Sequence, residues 1–521
     1  MPPSDTSAIE VESRSRLSAV FRLALGPGLA AAAYFLLGRF VGEGSTEHAL
    51  SEEARRVACV LVWMAAWWLT EAIPLSATAL LPLVALPMTG TGTLASASSP
   101  YASRIIFLFM GGFMLALAME KWNLHKRIAL IALLLVGTAP ARMIAGFMVT
   151  TAVLSMWVSN TATTVMMLPI ASSVVALVRL RTGESQSNFA TALLLGIAYS
   201  ASIGGLATPI GSPPNAILIG FLDDSFGYRI SFTDWMMIGL PITAILLPIT
   251  WALLAKVLYR PAIREVPGGR AMLTEELRAL GPMSRGELAV MCVFACTVLA
   301  WLSRGFIADT PGPIGVFVSE HIDDASIAIA AAILLFAIPI DLRRGSFALD
   351  WASAAKLPWG VLLLFGGGLS LAGAVKGSGL DSFIGSGVLV FRDAPILLVV
   401  LVSVATVIFL TEITSNTATA AIFISILTGV AITGFGIDPL LLIVPATLGA
   451  SCAFMMPVAT PPNAIVYGTG HVTIRQMART GFLLNIVSIA LATLAVYTVA
   501  TWVLGIELSG IPEWAQGGGT R

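Results

Sequence analysis

Ser159-Asn160-Thr161-Ala162-Thr163 recurs residue for residue as Ser415-Asn416-Thr417-Ala418-Thr419, and each copy is followed by Pro-Pro-Asn-Ala-Ile, at Pro213–Ile217 and Pro461–Ile465. Hydroxyls, amides and tandem prolines make poor surfaces for lipid. Their duplication inside a very apolar chain points to two half-sites that meet around one bound solute.

The surrounding sequence is that of a polytopic membrane protein. Hydrophobic residues make up 57% of the 521 and charged residues 11%, and charge is confined to short segments between apolar runs. Many of those runs approach the roughly 20 residues that span a bilayer. With 29 basic and 29 acidic residues the chain is formally neutral, and nothing in it suggests a nucleic-acid partner. Cys59, Cys292, Cys296 and Cys452 lie in apolar segments without metal-site pairing and read as small hydrophobes. There is no P-loop, His-Glu-x-x-His or Gly-x-Ser-x-Gly string, so neither ATP coupling nor hydrolase chemistry has a footing. The histidines, His48, His125, His321 and His471, read as residues of polar connecting segments, which also argues against an enzyme. The run Leu17–Leu37 carries Arg22 and no clear cleavage site, so it reads as a retained helix rather than a signal peptide.

After a polar loop come an apolar run to Trp68, the break Thr70-Glu71-Ala72-Ile73-Pro74, and a second run to about Met88. Further crossings are read near Ile105–Glu120, Phe189–Leu222, Trp235–Leu258, Leu288–Leu302, Ala325–Ile340, Trp359–Val375, Leu440–Gly468 and Gly481–Leu504. Met143–Val178 and Pro395–Thr433 each carry Ser-Asn-Thr near the middle and read as re-entrant hairpins, which expose a polar tip at mid-depth and return to the side of entry. About eleven crossings with an internal N-terminus and an external C-terminus place 20 of the 29 basic residues inside, among them Lys121, Lys126, Arg127, Arg142, Lys256, Arg264 and Lys356. Asp223, Asp224, Asp309, Glu320, Asp323 and Asp324 fall outside. Five crossings separate the two tips, an odd number, so the halves are inverted repeats. Gly111-Gly112 and Gly366-Gly367, placed alike before each hairpin, extend the repeat. The charged segment Tyr259–Glu287 reads as a cytoplasmic connector lying partly along the membrane surface.

The motifs dictate chemistry as well as shape. Pro-Pro cannot continue the hydrogen bonds of a preceding helix but suits the first turn of a new one, so the helix breaks at Ser212-Pro213 and Thr460-Pro461, with Ser212 and Thr460 as N-caps. A broken helix offers free carbonyls to a cation and free amides to an anion. The tips add Ser159, Asn160 and Thr161, and Ser415, Asn416 and Thr417. None of these motifs contains Lys, Arg or His. An anion held here needs bound cations to offset its desolvation, which points to Na+ coupling. Glu71 and Glu120 read as helix-end or interfacial carboxylates, while Glu412 sits three residues before the second tip.

The paired Ser-Asn-Thr tips, the paired Pro-Pro-Asn breaks and Trp68-Leu69-Thr70-Glu71-Ala72-Ile73-Pro74 together resemble the divalent anion/sodium symporter family, over roughly Val57–Leu504. The resemblance implies a homodimer whose protomers move a transport domain past a scaffold as an elevator. It implies one sodium site at Ser155, Ser159, Asn160 and Gly211 and another at Thr411, Thr414, Asn416 and Ala459, with Gly211, Thr414 and Ala459 offering mainly backbone oxygen. Substrate carboxylates are then expected among Ser159, Asn160, Thr161, Ser212, Ser415, Asn416, Thr417, Thr460 and Pro461.

The expected fold is an all-α inverted repeat with two re-entrant hairpins, two broken helices and about 11 transmembrane helices. Its expected divisions are a tail 1–16, scaffold helices 17–138, a transport part 139–258, a linker 259–287, scaffold 288–376, transport 377–506 and a tail 507–521. The expected activity is sodium-coupled symport of four-carbon dicarboxylates (succinate, malate, fumarate) across the bacterial cytoplasmic membrane. Sodium-independent exchange, or sodium-coupled citrate or sulfate transport, are its alternatives. Because cation and anion offset each other in one site, each tightens the other. Calorimetry on the purified protein is expected to show succinate binding about tenfold tighter in sodium chloride than in choline chloride; equal affinities would count against coupling.

Overall fold

The computed structural model describes residues 6–41, 50–182, 187–263, 265–266 and 268–516, with backbone only at 6–19, 181–182 and 187. His48, Arg264 and the ends of both tails, 1–5 and 517–521, lie outside the described residues. Among those described the chain is almost wholly helical; the one sheet is an antiparallel ribbon pairing Pro339–Asp341 with Ser346–Phe347.

Every expected crossing is helical. Nine helices among the described residues are long and apolar enough to cross a membrane. Two of the nine, Asn160–Leu180 and Asn416–Phe435, fall within the expected hairpins. Leu75–Thr89, Asp324–Ala337 and Leu440–Ala450 are apolar but shorter. Local chemistry sets the boundaries. Ser231 with Asp234, Ser284 with Glu287 and Thr473 with Gln476 form reciprocal capping boxes at Phe232–Ala252, Arg285–Ala308 and Ile474–Ala495. Glu52–Thr70 ends where Glu71 turns left-handed at φ 47, and Pro74 opens the next turn, as the Thr70–Pro74 break predicts.

Each half carries a hairpin packed on a broken helix. The first hairpin has arms Pro140–Ser155 and Asn160–Thr182; the second has arms Ile396–Thr411 and Asn416–Gly429. Both arms of the first pack along Ser187–Gly205, and both arms of the second along Leu440–Ala450. Each of these helices resumes after a non-helical break, as Pro213–Phe226 and Pro461–Tyr467. The expected single crossings Phe189–Leu222 and Leu440–Gly468 are therefore two half-helices each.

Leu124–Val136, Pro313–His321 and Leu380–Ser386 have no counterpart in the sequence reading, nor do the single turns Leu94–Ser98, Trp351–Ala354 and Glu513–Gln516. All are short, and their polar ends mask them as loops. Within the connector, Gly269–Ala279 forms a helix against Leu124–Val136. Arg127 on the latter reaches the first turn of Arg285–Ala308, where its guanidinium meets both Glu287 oxygens at 2.6 and 3.2 Å. Lys121 bonds Asp350 at 2.7 Å and holds that carboxyl down at about 2.

The duplicated glycines are contact points. A Cβ on Gly111 would overlap Ala328, and one on Gly367 would overlap the Ala79 carbonyl. Gly112 faces Ile210 of the first break, and Gly368 faces Ala421 of the second hairpin. Gly204, in the last turn before the first break, lets the hairpin's Ala152 backbone approach so closely that a Cβ would overlap its carbonyl. Gly204→Ala is thus expected to cost about 1–3 kcal/mol by overpacking. Gly373→Ala, with nothing within 4 Å of its Cβ, is expected to leave the melting temperature in detergent unchanged or slightly raised. Equal melting temperatures for the two variants would contradict this packing.

Candidate functional site

Both hairpins turn at the same chemical point. The first arm ends on a hydroxyl residue, Ser155 or Thr411, and the second begins on an asparagine, Asn160 or Asn416. Ser155 Oγ lies 2.6 Å from Asn160 Oδ1 and 2.7 Å from the Ala201 carbonyl. Thr411 Oγ1 lies 2.6 Å from Asn416 Oδ1 and 3.2 Å from the Ala450 carbonyl. A hydroxyl has one proton and cannot donate to both acceptors, so each cluster is rich in oxygen and short of hydrogen. A small monovalent cation would relieve that shortage. With the Asn160 amide turned over, its nitrogen would instead donate to Ala201 O at 2.9 Å, Ser155 Oγ at 2.6 Å and Gly211 O at 3.3 Å. The junction thus has one arrangement that suits a cation and one that satisfies itself.

The asparagines of Pro-Pro-Asn hold the breaks. Asn215 Nδ2 donates back to the Gly205 and Thr208 carbonyls at 3.0 and 2.8 Å; Asn463 Nδ2 donates to Ala453 and Met456 at 3.2 and 3.1 Å. In both halves the acceptors lie ten and seven residues upstream. For Gly205 O and Ala453 O the asparagine replaces the partner that an interrupted helix loses, while Thr208 O and Met456 O also accept from Gly211 N and Ala459 N at 3.3 and 3.2 Å. Gly205 and Gly211 come together so closely across the first break that a side chain on either would overlap the other.

The two N-caps differ. Thr460 caps as expected, its hydroxyl accepting from Asn463 N at 3.3 Å. Ser212 has the extended cap conformation but no side-chain cap bond. Prolines at the next two positions bring no N–H, and Asn215 N is taken by the Ser212 carbonyl at 3.1 Å. The Ser212 hydroxyl pairs instead with Ser451 at 2.7 Å, linking the two breaks directly.

All nine expected substrate residues, Ser159, Asn160, Thr161, Ser212, Ser415, Asn416, Thr417, Thr460 and Pro461, line one cavity of about 1080 Å³. Gly211 and Ala459 line it too, while Ser155, Thr411 and Thr414 stand behind it. Thr161 is exposed to the cavity and Thr417 is nearly buried, so the two halves do not present equal faces. The Thr414 hydroxyl is occupied by Leu410 O at 2.9 Å and Thr419 Oγ1 at 2.7 Å. Among the described residues the lining contains no Lys or Arg, and its only acids are Glu71 and Glu120, exposed at helix ends where the cavity meets the surface. His125 corrects the sequence reading. It lies in the unforeseen helix Leu124–Val136 rather than a connecting segment and lines the cavity with Glu120 and Asn123; His321 likewise belongs to a helix, Pro313–His321. The Ala201 and Ala450 carbonyls and Ser451 were also missed; a backbone oxygen leaves no signature in a sequence.

This is the architecture of a secondary transporter, with two inverted hairpin-and-broken-helix units around a shared central cavity. Residues 46–506 match the family model for the sodium:sulfate symporter transmembrane region, and the chain belongs to that family of membrane transporters. It is 43% identical over 466 residues to the sodium-dependent dicarboxylate transporter SdcS of Staphylococcus saprophyticus, covering 88% of this chain and 89% of the relative. It is 43% identical over 459 residues to the protein of the same name from Staphylococcus aureus, covering 87% of each. Among solved structures it resembles the Alcanivorax borkumensis YdaH transporter, with TM-score 0.54, 14% identity and coverage of 86% of this chain and 99% of that one. It also resembles Neisseria gonorrhoeae MtrF, with TM-score 0.57, 11% identity and coverage of 92% and 100%. At these identities the structural likeness speaks for the fold alone.

Removing the Asn463 side chain strands the buried Ala453 carbonyl and leaves Met456 O with Ala459 N alone. Asn463→Ala is expected to destabilise the protein by about 1–3 kcal/mol per unmet group. Thr161→Ala, on the cavity wall, is expected to leave the melting temperature within about a degree of the wild type, the usual result for an exposed position. A thermal-shift comparison in detergent checks the order; equal melting temperatures would show that the asparagine is not a structural tie.

Proposed function

We propose that this protein carries four-carbon dicarboxylates such as succinate, malate or fumarate together with sodium ions across the bacterial cytoplasmic membrane. The observation that carries this reading is the charge of the cavity. Among the described residues its wall offers hydroxyls, amides and helix ends but neither Lys nor Arg, and its two acids, Glu71 and Glu120, stand at the rim. A dianion brought to such a wall by neutral donors alone would pay a large desolvation cost. Two junctions gathering hydroxyl, amide and carbonyl oxygens flank the cavity, and sodium at each supplies the missing positive charge. The names of the SdcS relatives support both the cation and the class of substrate.

In this reading Ser155, Ser159, Asn160 and Gly211 hold one sodium, and Thr411, Thr414, Asn416 and Ala459 the other. The carboxylates sit between the tips, against Ser159, Asn160, Thr161 and Ser212 on one side and Ser415, Asn416, Thr417, Thr460 and Pro461 on the other. Segments 139–258 and 377–506 form the moving body, and 17–138 with 288–376 the scaffold of a homodimer. The cavity reaches the surface at Glu71, Glu120 and His125, beside Lys121, Lys126 and Arg127, the end that charge distribution places inside. At the opposite end the two bodies are tied together. Arg104 pairs with Asp223, Ser103 Oγ bonds Asp224 at 3.1 Å, Lys376 bonds the Ser225 carbonyl, and Phe232 N donates to Asp324 at 2.8 Å. In this reading the ties belong to a body lowered toward the cytoplasm, and an elevator step breaks them. The N-terminus then lies inside and the C-terminus outside.

The test is uptake of labelled succinate into proteoliposomes with and without an inward sodium gradient. Sodium-driven accumulation is expected, with Asn160→Ala and Asn416→Ala each lowering it at least about a hundredfold, on the scale of a lost substrate-positioning group, while both variants fold. Full uptake by either variant, or accumulation equal in choline, would sink the assignment.

A further inference from the structure

The two halves follow one plan, and a buried acid breaks it. The tips stand 256 residues apart, so Ser155 corresponds to Thr411 and Asn160 to Asn416. The next position pairs Met156 with Glu412. At the first junction a neutral clasp joins tip to break: Thr208 Oγ1 donates to the Met156 carbonyl at 2.5 Å. Thr208 corresponds to Met456 through the 248-residue offset of the Pro-Pro-Asn motifs. There the clasp is ionic and reversed, with Met456 N donating to Glu412 Oε2 at 3.0 Å.

The difference extends along the whole break. In the first half Leu206 N and Ala207 N close ordinary turns onto Ile203 and Gly204, at 3.2 and 3.1 Å. In the second the corresponding amides point at the acid: Phe454 N at 2.7 Å and Met455 N at 2.9 Å to both oxygens. Asn485 Nδ2 adds a further donor at 2.7 Å. Glu412 is 3% exposed, and every donor it meets is a neutral N–H group. Such donors stabilise the carboxylate without cancelling its net charge. Glu412 directly follows Thr411, whose hydroxyl bonds Asn416 and the Ala450 carbonyl, and its carboxylate holds Phe454–Met456 of the break that runs from Ala450 to Ala459, so acid and junction share one tip and one break.

We propose that Glu412 is a positioning residue for cation capture. It props the second break open in place of turn hydrogen bonds, and its charge makes the Thr411–Asn416 junction the stronger of the two cation positions and the first to fill. The inference rests on the symport reading and goes beyond it, since that reading treats the two positions as equals. In a low-dielectric interior, a unit charge near a bound cation shifts its affinity by roughly tenfold or more.

The experiment measures the sodium midpoint in two ways: uptake of saturating labelled succinate into proteoliposomes, and sodium protection of the detergent-solubilised protein against thermal unfolding. Glu412→Gln is expected to raise both midpoints roughly tenfold, with uptake recovering at high sodium. Glu412→Asp, which withdraws the brace but keeps the charge, is expected to hold the midpoint within about twofold while lowering maximal uptake. An unchanged midpoint in Glu412→Gln, whatever its maximal rate, overturns the proposal, because a merely structural brace would change the rate and leave the midpoint alone. Should that variant not fold, Asn485→Ala decides. It removes one compensating dipole and leaves the backbone brace, and is expected to lower the midpoint; an unchanged or raised one overturns the proposal. A wild type with no sodium response would bring down the symport reading itself, whereas a normal wild type beside an unshifted variant brings down only the role of Glu412.

Discussion

A helix interrupted in the middle of a membrane leaves backbone amides and carbonyls with nothing to bond, and this molecule is organised around meeting that demand twice. Water is not at hand, and an unmet group there costs several kcal/mol. The breaks at 206–212 and 451–460 are met by side chains brought from elsewhere. Asn215 and Asn463 reach back to carbonyls. Thr208 and Glu412 clasp the hairpin tips onto the breaks. The groups still facing the cavity are those a solute can use. Stability and transport therefore share the same atoms.

The hairpins follow from the same constraint. Their polar tips can lie at mid-depth because each arm packs along a broken helix and hides its backbone. Close approach is what makes the cover tight, and Gly204 and Ala152 show how little space is allowed. The duplicated glycines admit equally close neighbours: Gly111 meets Ala328, Gly112 meets Ile210, Gly366 meets Tyr101 and Gly367 meets the Ala79 backbone.

Inverted repetition reproduces geometry more faithfully than it reproduces residues. Both halves place a hydroxyl and an asparagine at the tip with a carbonyl beyond them, at nearly equal distances. Yet Thr161 is exposed where Thr417 is buried, Thr460 caps its helix where Ser212 does not, and Glu412 stands where Met156 does.

Much of this was legible in the residues themselves. Composition settled the membrane, the duplicated motifs located the breaks and tips, and an odd number of crossings between them required inversion. These features are local or countable, set by the bilayer's thickness, by proline's missing N–H and by the cost of polar groups in lipid. The short helices Leu124–Val136, Pro313–His321 and Leu380–Ser386 escaped notice because a run below bilayer length with polar ends carries no periodic signal above that of a loop. His125 was misplaced for the same reason. The partners of each motif were also hidden. That Ser212 meets Ser451 rather than capping its own helix, that Ala201 and Ala450 lend their carbonyls, and that Glu412 turns inward to three amides are results of which surfaces come together across some forty to two hundred and forty residues. The sequence by itself determined where the backbone had to break. Only the tertiary structure decided what would meet it there, because hydrogen bonds between distant segments depend on packing geometry that no local pattern records.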